Sequence, residues 1–279
     1  MKLQLFFTSI ALTTLFAVAA FGQDGLRNDD RGDRGRSLPV QVFQAAGPNA
    51  ASIQSTVDQY RAALGGVNNA NTAGPIATGR REINWDGGSP TNNTTSLGPT
   101  PFDVFLTTRG SRFITPGTGF VQAPASGMAE VFNNPSYATI FQAFSPVRLF
   151  SPIGSRITDS VFFVPGGSGL RAATKGFGAV FADVDQQDGN GFEFHREHDR
   201  ENTVIEYYDA RDRLLFRSLV PASPGDGGLS FFGIVLNDAR IAKVRIATDA
   251  APGRDDTADR DIVLLDDFIY GEPQALPLY

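Results

Sequence analysis

The chain has 279 residues, with 30 Gly, 17 Pro, 23 Phe and a formal net charge of −6, enough material for one large β domain or two small ones. The mildly acidic balance carries no basic stripe to neutralise phosphates, which excludes a nucleic-acid partner. Cysteine is absent, so disulfides, thiolate metal sites, a Cys nucleophile and a Cys-linked lipid are all excluded.

Met1-Lys2, the apolar segment Leu3 to Phe21 and the small residues Val18-Ala19-Ala20 or Ala20-Phe21-Gly22 read as a signal peptide over residues 1–22. The run is short for a membrane span. A secreted, extracellular or periplasmic protein is expected, with no stable membrane insertion after cleavage. Gln23 to Ser37 is charged, Gly-rich and aperiodic, which predicts a disordered arm over residues 23–39. Its Arg31-Gly32-Asp33 tripeptide matches some integrin ligands, a cheap match in such a run.

Val40 to Phe43 reads as a first strand. Ile53, Val57, Tyr60 and Leu64 recur at helical spacing and predict one helix over Ala50 to Leu64. Asn49 or Ser52 would cap it and Gly65-Gly66 would end it. This helix would cover one end of a sandwich or bind a partner. After a polar loop, Arg81 to Gly87 reads as a strand holding the single Trp, and Gly88 to Pro101 as a long loop. Phe102 to Thr108, Arg112 to Thr115, Gly119 to Gln122, Phe141 to Phe150 and Arg156 to Val164 read as further strands. From Lys175 to Gly271 strand follows strand: GFGAVFADVD, TVIEYYDA, RLLFRSLVP, LSFFGIVL, IAKVRIATD and DIVLLDDFIYGE, separated by turn-rich pieces such as PASPGDGG and APGRDD. Short β runs with Gly, Pro and Asp breaks predict an all-β sandwich or barrel. Composition is even from Arg81 to Gly271, so one domain is expected over residues 40–275, with its core at 80–273.

The segments GRREINWDG, TPGTGF, RLFSPIGSRITDSVFFVPG, GFGAVFADVD, IEYYDA, FFGIVLNDARIAKVRI and LDDFIYGEP resemble a group of uncharacterised exported bacterial proteins related to PEP-CTERM-anchored surface proteins. The resemblance covers roughly Arg80 to Pro273. It implies an antiparallel jelly-roll β-sandwich, similar to carbohydrate-binding and lectin-like modules, with one short N-terminal helix. It implies no activity. The chain departs from the group in lacking the C-terminal anchor and in a polar insertion over Gln186 to Asn202.

Three clusters could carry chemistry. The first is Asp183, Asp185, Asp188 and Asn190 in ADVDQQDGNG. Strand residues two apart share a face, so Phe177, Ala179, Phe181, Asp183 and Asp185 should point one way. The two carboxylates repel unless solvated or sharing a cation, and Asp188 and Asn190 add oxygen donors on a turn. Hard oxygen donors suit calcium. The alternative is a solvated strand end.

The second cluster is Asp266-Asp267 within the apolar run Ile262 to Tyr270. Adjacent strand residues face opposite sides, so one Asp should lie on the core face, where it needs an Arg, backbone N–H groups or a cation. If the first and last sandwich strands pair, Arg80, Arg81 and Asp86 come close. A structural salt bridge and a structural calcium are the two readings. The third cluster is Glu193, His195, Glu197, His198 and Asp199 in FEFHREHDRE, which holds both His residues. It is either a solvated hairpin or a transition-metal site, and it fits neither helical zinc pattern.

Trp85, Tyr207 and Tyr208 are candidates for stacking on sugars, or else for core and edge packing. No Ser/His/Asp arrangement is persuasive. A glycosidase carboxylate pair has no local signature and stays open. The leading expectation is an exported non-catalytic module for an extracellular polysaccharide or matrix polymer, with calcium as its cofactor. The alternatives are a structural or adhesive surface protein that binds protein partners, and a glycoside-active enzyme.

Overall fold

A computed structural model describes residues 39–89, 91–185, 202–223 and 225–277. The expected signal peptide, the N-terminal arm with its Arg31-Gly32-Asp33, Asp188, Asn190 and the His-bearing cluster lie outside the described residues. In chain order the elements are β1 (Val40–Gly47), α1 (Ala50–Ala63), β2 (Arg80–Ile83), β3 (Ser96–Gly98), α2 (Leu106–Arg109), β4 (Ser111–Ile114), β5 (Gly119–Ala123), α3 (Ala125–Phe132), α4 (Tyr137–Ile140), β6 (Leu149–Ile153), β7 (Ile157–Phe162), β8 (Ala172–Ala173), β9 (Gly176–Ala182), β10 (Val204–Tyr208), β11 (Leu214–Leu219), β12 (Leu229–Leu236), β13 (Lys243–Ala247), β14 (Leu264–Gly271) and β15 (Gln274–Ala275).

One sheet of eight strands runs β1-β12-β9-β14-β6-β5-β3, with β2 also pairing β14; a five-stranded sheet runs β11-β10-β13-β7-β4; β15 and β8 form a small third sheet. The paired strands are antiparallel, as a sandwich requires.

Two apolar layers explain the sequence pattern. Phe177, Ala179 and Phe181 of β9, Phe232 and Ile234 of β12 and Phe268 and Tyr270 of β14 meet Ile205, Tyr207, Val244 and Ile246 of the five-stranded sheet in one core. The intervening residues Val180, Ala182, Phe231, Val235 and Ile269 pack on the other face, against Ile53, Val57, Tyr60 and Leu64 of the α1 region, Met128 of α3 and Tyr137 of α4. The large sheet is therefore covered on both sides, which is why β9, β12 and β14 are buried at every residue and read as continuous apolar runs. In β13 burial alternates, as expected when one face meets water.

The predicted helix forms as read: the Asn49 side chain accepts from Ser52 N at its start, and its apolar stripe is buried. It lies on the outer face of the large sheet over β1 and β12, however, and not over one end of the sandwich. The expectation of a single helix is also corrected. Residues 106–109 form α2 where a strand was expected, and α3 and α4 add two more short helices. The strand expected over Arg81 to Gly87 ends at Ile83, because Trp85 (φ 63°) and Gly87 (φ 63°) take left-handed backbone that cannot continue a pleat. The strand expected from Phe141 begins only at Leu149.

Candidate metal centre

In the large sheet β9 lies between β12 and β14 and runs antiparallel to both. The C-terminal end of β9 therefore meets the approaches to β12 and β14. All three segments carry aspartates: Asp183 and Asp185 after β9, Asp226 before β12, and Asp249, Asp256 and Asp261 between β13 and β14.

Asp183 does not continue the β9 alternation. Its φ of 70° turns the chain, and Val184 takes the next place in the aromatic core beside Phe181. The expected Phe177-to-Asp185 face therefore ends at Phe181. The turned Asp183 is fully buried; its Oδ1 accepts from Gly227 N at 3.0 Å, and its backbone N donates to Gly228 O at 2.8 Å. Its Oδ2 is buried and has no hydrogen-bond partner among the described residues. Asp185 Oδ1 accepts from Gly225 N at 3.0 Å. One carboxylate oxygen each from Asp183, Asp185 and Asp226 lies within 4.8 Å of the others, a spacing that could hold a metal ion. Asp183 is buried, Asp185 half-buried and Asp226 exposed, so the group runs from the interior to the surface.

Burial pushes the Asp183 carboxyl up to about 8, with Asp185, Asp256 and Asp261 adding to the shift and the Gly227 N–H opposing it. Burial likewise pushes Asp261 to about 8, against the Asp185 N–H and with Asp185, Asp256 and Asp249 adding. Asp185 and Asp256 are also raised, chiefly by burial. The charges that act most on these four groups are other carboxylates. Such a constellation favours either protons or a hard cation, and its all-oxygen donor set suits the second.

The second predicted cluster also assembles, by a different geometry. Leu265 pairs with Phe181 and Phe268 with Ala179, so Asp266 and Asp267 together oppose the single residue Val180. This β-bulge switches the alternation: Val263 and Leu265 before it, and Phe268 and Tyr270 after it, all face the sandwich core. Both aspartates consequently project to the same side, not to opposite sides as a regular strand would place them. At the bulge the outer neighbour of β14 changes from β6 to β2. Residues that leave β2 and enter β6 meet the aspartates there.

Ser145 Oγ sits 2.7 Å from Asp267 Oδ1 and 3.4 Å from each of Asp266 Oδ1, Asp86 Oδ2 and Asn84 O. Backbone N–H groups serve the remaining oxygens: Phe144 N donates to Asp266 Oδ2 at 2.6 Å, and Val147 N and Arg148 N donate to Asp86 Oδ1 at 2.6 and 2.9 Å. The basic partner of Asp267 is Arg61, at 3.6 Å. The expected Arg81 is instead buried against Glu272 at 2.6 and 2.7 Å, and Arg80 pairs with Glu82. Burial raises Asp266 well above the carboxylate range, and Asp267 adds to it. Burial also raises Asp267, with the Ser145 hydroxyl and Arg61 holding it back. Asp86 is raised by burial too, against the N–H groups of Arg148 and Val147.

The expected aromatic ligand site is corrected at Trp85 and Tyr207. Trp85 is fully buried and stacked on Phe150 with ring centroids 3.8 Å apart. Tyr207 is fully buried, and its hydroxyl donates to Phe177 O at 3.1 Å. Tyr208 is half-buried; the Lys243 ammonium lies 4.4 Å from its ring centroid, and its hydroxyl donates to Glu206 at 2.6 Å. Trp85 and Tyr207 therefore present no ring face to a sugar, and Lys243 lies over one face of Tyr208.

The sequence reading missed Asp226, Asp249, Asp256 and Asp261. Their signal was present, an Asp in each loop that precedes a central strand, but PASPGDGG and APGRDD read equally well as turns. No protein family, curated protein or solved structure matches the chain.

Proposed function

We propose that the protein is an exported, non-catalytic jelly-roll module that binds an extracellular glycan or matrix polymer and is stabilised by calcium at Asp183, Asp185 and Asp226. The observation that carries the cation is Asp183 Oδ2, a buried acceptor without a donor among the described residues. An unmatched buried polar atom costs about 1–3 kcal/mol, and more when charged. A divalent cation removes that cost and the repulsion among the three carboxylates together. Calcium is favoured over magnesium by donor type and by the loop setting: it accepts six to eight oxygens in a flexible shell, whereas magnesium demands a near-ideal octahedron.

The glycan reading rests on the resemblance to lectin-like sandwiches and on the antiparallel two-sheet architecture. With Trp85 and Tyr207 in the core, recognition would run through polar side chains and not through a stacking platform. The test is a glycan array probed with the full chain in calcium and again in chelator. Calcium-dependent binding to a defined set of glycans supports the reading, and an array silent in both conditions counts against it.

A second reading, a surface protein that binds other protein chains, is favoured by the edge of the five-stranded sheet. There, among the described residues, β11 pairs with β10 alone, and Leu214 and Leu219 are exposed. An exposed sheet edge with apolar side chains is a template for another chain. Charge substitutions at these two leucines would abolish protein capture under this reading and leave glycan binding intact under the first.

A further inference from the structure

The two larger sheets end in β1, β3, β4 and β11, and three of these strands carry features that discourage a further strand. β3 has three residues, β4 has four and carries Arg112, and β11 carries Arg217. Short length and charge both blunt a sheet edge. β1 has neither. It runs for eight residues, VQVFQAAG, and the sequence holds no charged residue from Leu38 to Val57. Among the described residues β1 pairs with β12 alone, and its Gln41, Val42 and Gln44 are exposed. A long, uncharged edge is a template for another strand.

Helix α1 has the same character above this edge. The Tyr60 ring contacts Phe43 of β1 and Phe231 of β12 with centroids 5.3 and 5.2 Å apart, so the helix sits over the gap between the two strands. Its charged residues lie on the flank away from the edge: Arg61 pairs with Asp58 and reaches Glu82 of β2 and Asp267 of β14. Ser52, Thr56, Gln59 and Ala63, at helical spacing, form the opposite flank, which is uncharged. Ser52 lies against Gly47 at the end of β1.

We propose that two copies of this chain associate through their β1 edges, antiparallel, about a two-fold axis perpendicular to the sheet. The two large sheets become one, and the α1 helices lie side by side across the axis. Such an axis keeps the helix-covered faces of both copies on one side, and each patch meets its own counterpart. With neighbouring strands about 4.8 Å apart and each helix half a spacing inside its own β1, the helices come about 10 Å apart, a separation at which helices pack. Uncharged flanks meet there, so self-association brings no like charges together. A second copy suits this surface better than an acidic or basic partner, because neither β1 nor the facing flank offers a charge to meet one. The dimer depends on neither the cation nor the glycan reading.

The test is sedimentation equilibrium of the full chain. A species of twice the chain mass is expected. Gln44→Lys sets a charge near the axis in both copies and should return the monomer. If Gln44→Lys does not fold, Gln59→Lys is measured in its place with the same expected loss, since it sets two like charges between the helices. Leu219→Lys, on the β11 edge, should leave the dimer whole. The chain has no cysteine, so Gln44→Cys supplies an independent readout: a short bismaleimide should join two copies through that position. A wild type that stays monomeric at every concentration overturns the inference. A dimer that survives the Lys substitution overturns it as well, and a dimer lost in Leu219→Lys moves the contact to β11 and does the same.

Discussion

Asp183 shows how a single side chain can set the pH response of the protein. Without a cation its carboxyl holds a proton in the fold up to about pH 8, whereas in the unfolded chain it ionises near the ordinary Asp value of about 4. Between those limits the folded state binds more protons than the unfolded state, so stability falls as pH rises. Asp261 acts in the same window and in the same direction. Each group contributes up to about 1.4 kcal/mol per pH unit. In chelator the melting temperature should therefore drop steadily from pH 5 to pH 8. Calcium should flatten the slope, since the cation takes the place of the protons. Asp183→Asn keeps the shape and removes the ionisation, so at pH 8 in chelator it should melt above the wild type and respond less to calcium. A variant that melts below the wild type in chelator would show that Asp183 is stabilised by protein contacts alone. Asp266 provides a contrast: burial, with Asp267 beside it, raises it well above its ordinary value, and both its oxygens accept from backbone N–H groups, of Phe144 and Asp267. Asp266→Asn sets an amide NH2 against one of these two donors and should cost about 1–3 kcal/mol at pH 7 by urea titration, the scale of one unmatched buried polar group. A loss of several kcal/mol would mean that the charged form is the one the fold requires.

The elements divide cleanly by what a local pattern can encode. Helix α1 was legible because its spacing, its Asn49 cap and the following glycines all point to one structure. The β9, β12 and β14 runs were legible as strands, but their continuous apolarity is ambiguous as to face. Only the packing of α1, α3 and α4 on the outer side explains it. The β14 bulge was illegible, since LLDDFIYG reads as a regular strand until its pairing against Val180 is known. Asp226 and Asp261 were illegible as partners of Asp183 because strand order, not sequence distance, brings their loops to the end of β9. Close packing of α1 on the sheet makes its own prediction. Gly178 and Gly233 are cross-strand partners, and Tyr60 lies over them with its hydroxyl 3.3 Å from Ile234 O. A Cβ at Gly233 would come within 2.9 Å of Gly178 Cα and 3.0 Å of the Tyr60 ring. Gly233→Ala should therefore cost about 1–3 kcal/mol in urea titration, the range for overpacking a filled core. A change below about 0.5 kcal/mol would mean that α1 rides loosely on the sheet.

At the scale of the whole molecule, the place of the cation site decides how its loss is felt. It joins the end of β9 to the approach to β12, two neighbouring strands in the interior of the large sheet, buried on both faces. Strands in that position open only with the entire core, so cation binding there should stabilise the global transition and not a separate early one. Binding only to the folded state contributes about 2.7 kcal/mol at one hundred times the dissociation constant. Calcium should thus raise the urea midpoint of a single transition while leaving its slope unchanged, because the surface exposed on unfolding stays the same. Sodium chloride at matched ionic strength should not substitute. The ligand oxygens of Asp183, Asp185 and Asp226 lie within 4.8 Å of one another, well inside a Debye length of about 8 Å at physiological salt. Diffuse screening does little over that distance, whereas an ion seated between the oxygens removes the repulsion directly. Equal stabilisation by the two salts would mean that the carboxylates feel only general charge screening, and the site would lose its claim to a bound cation.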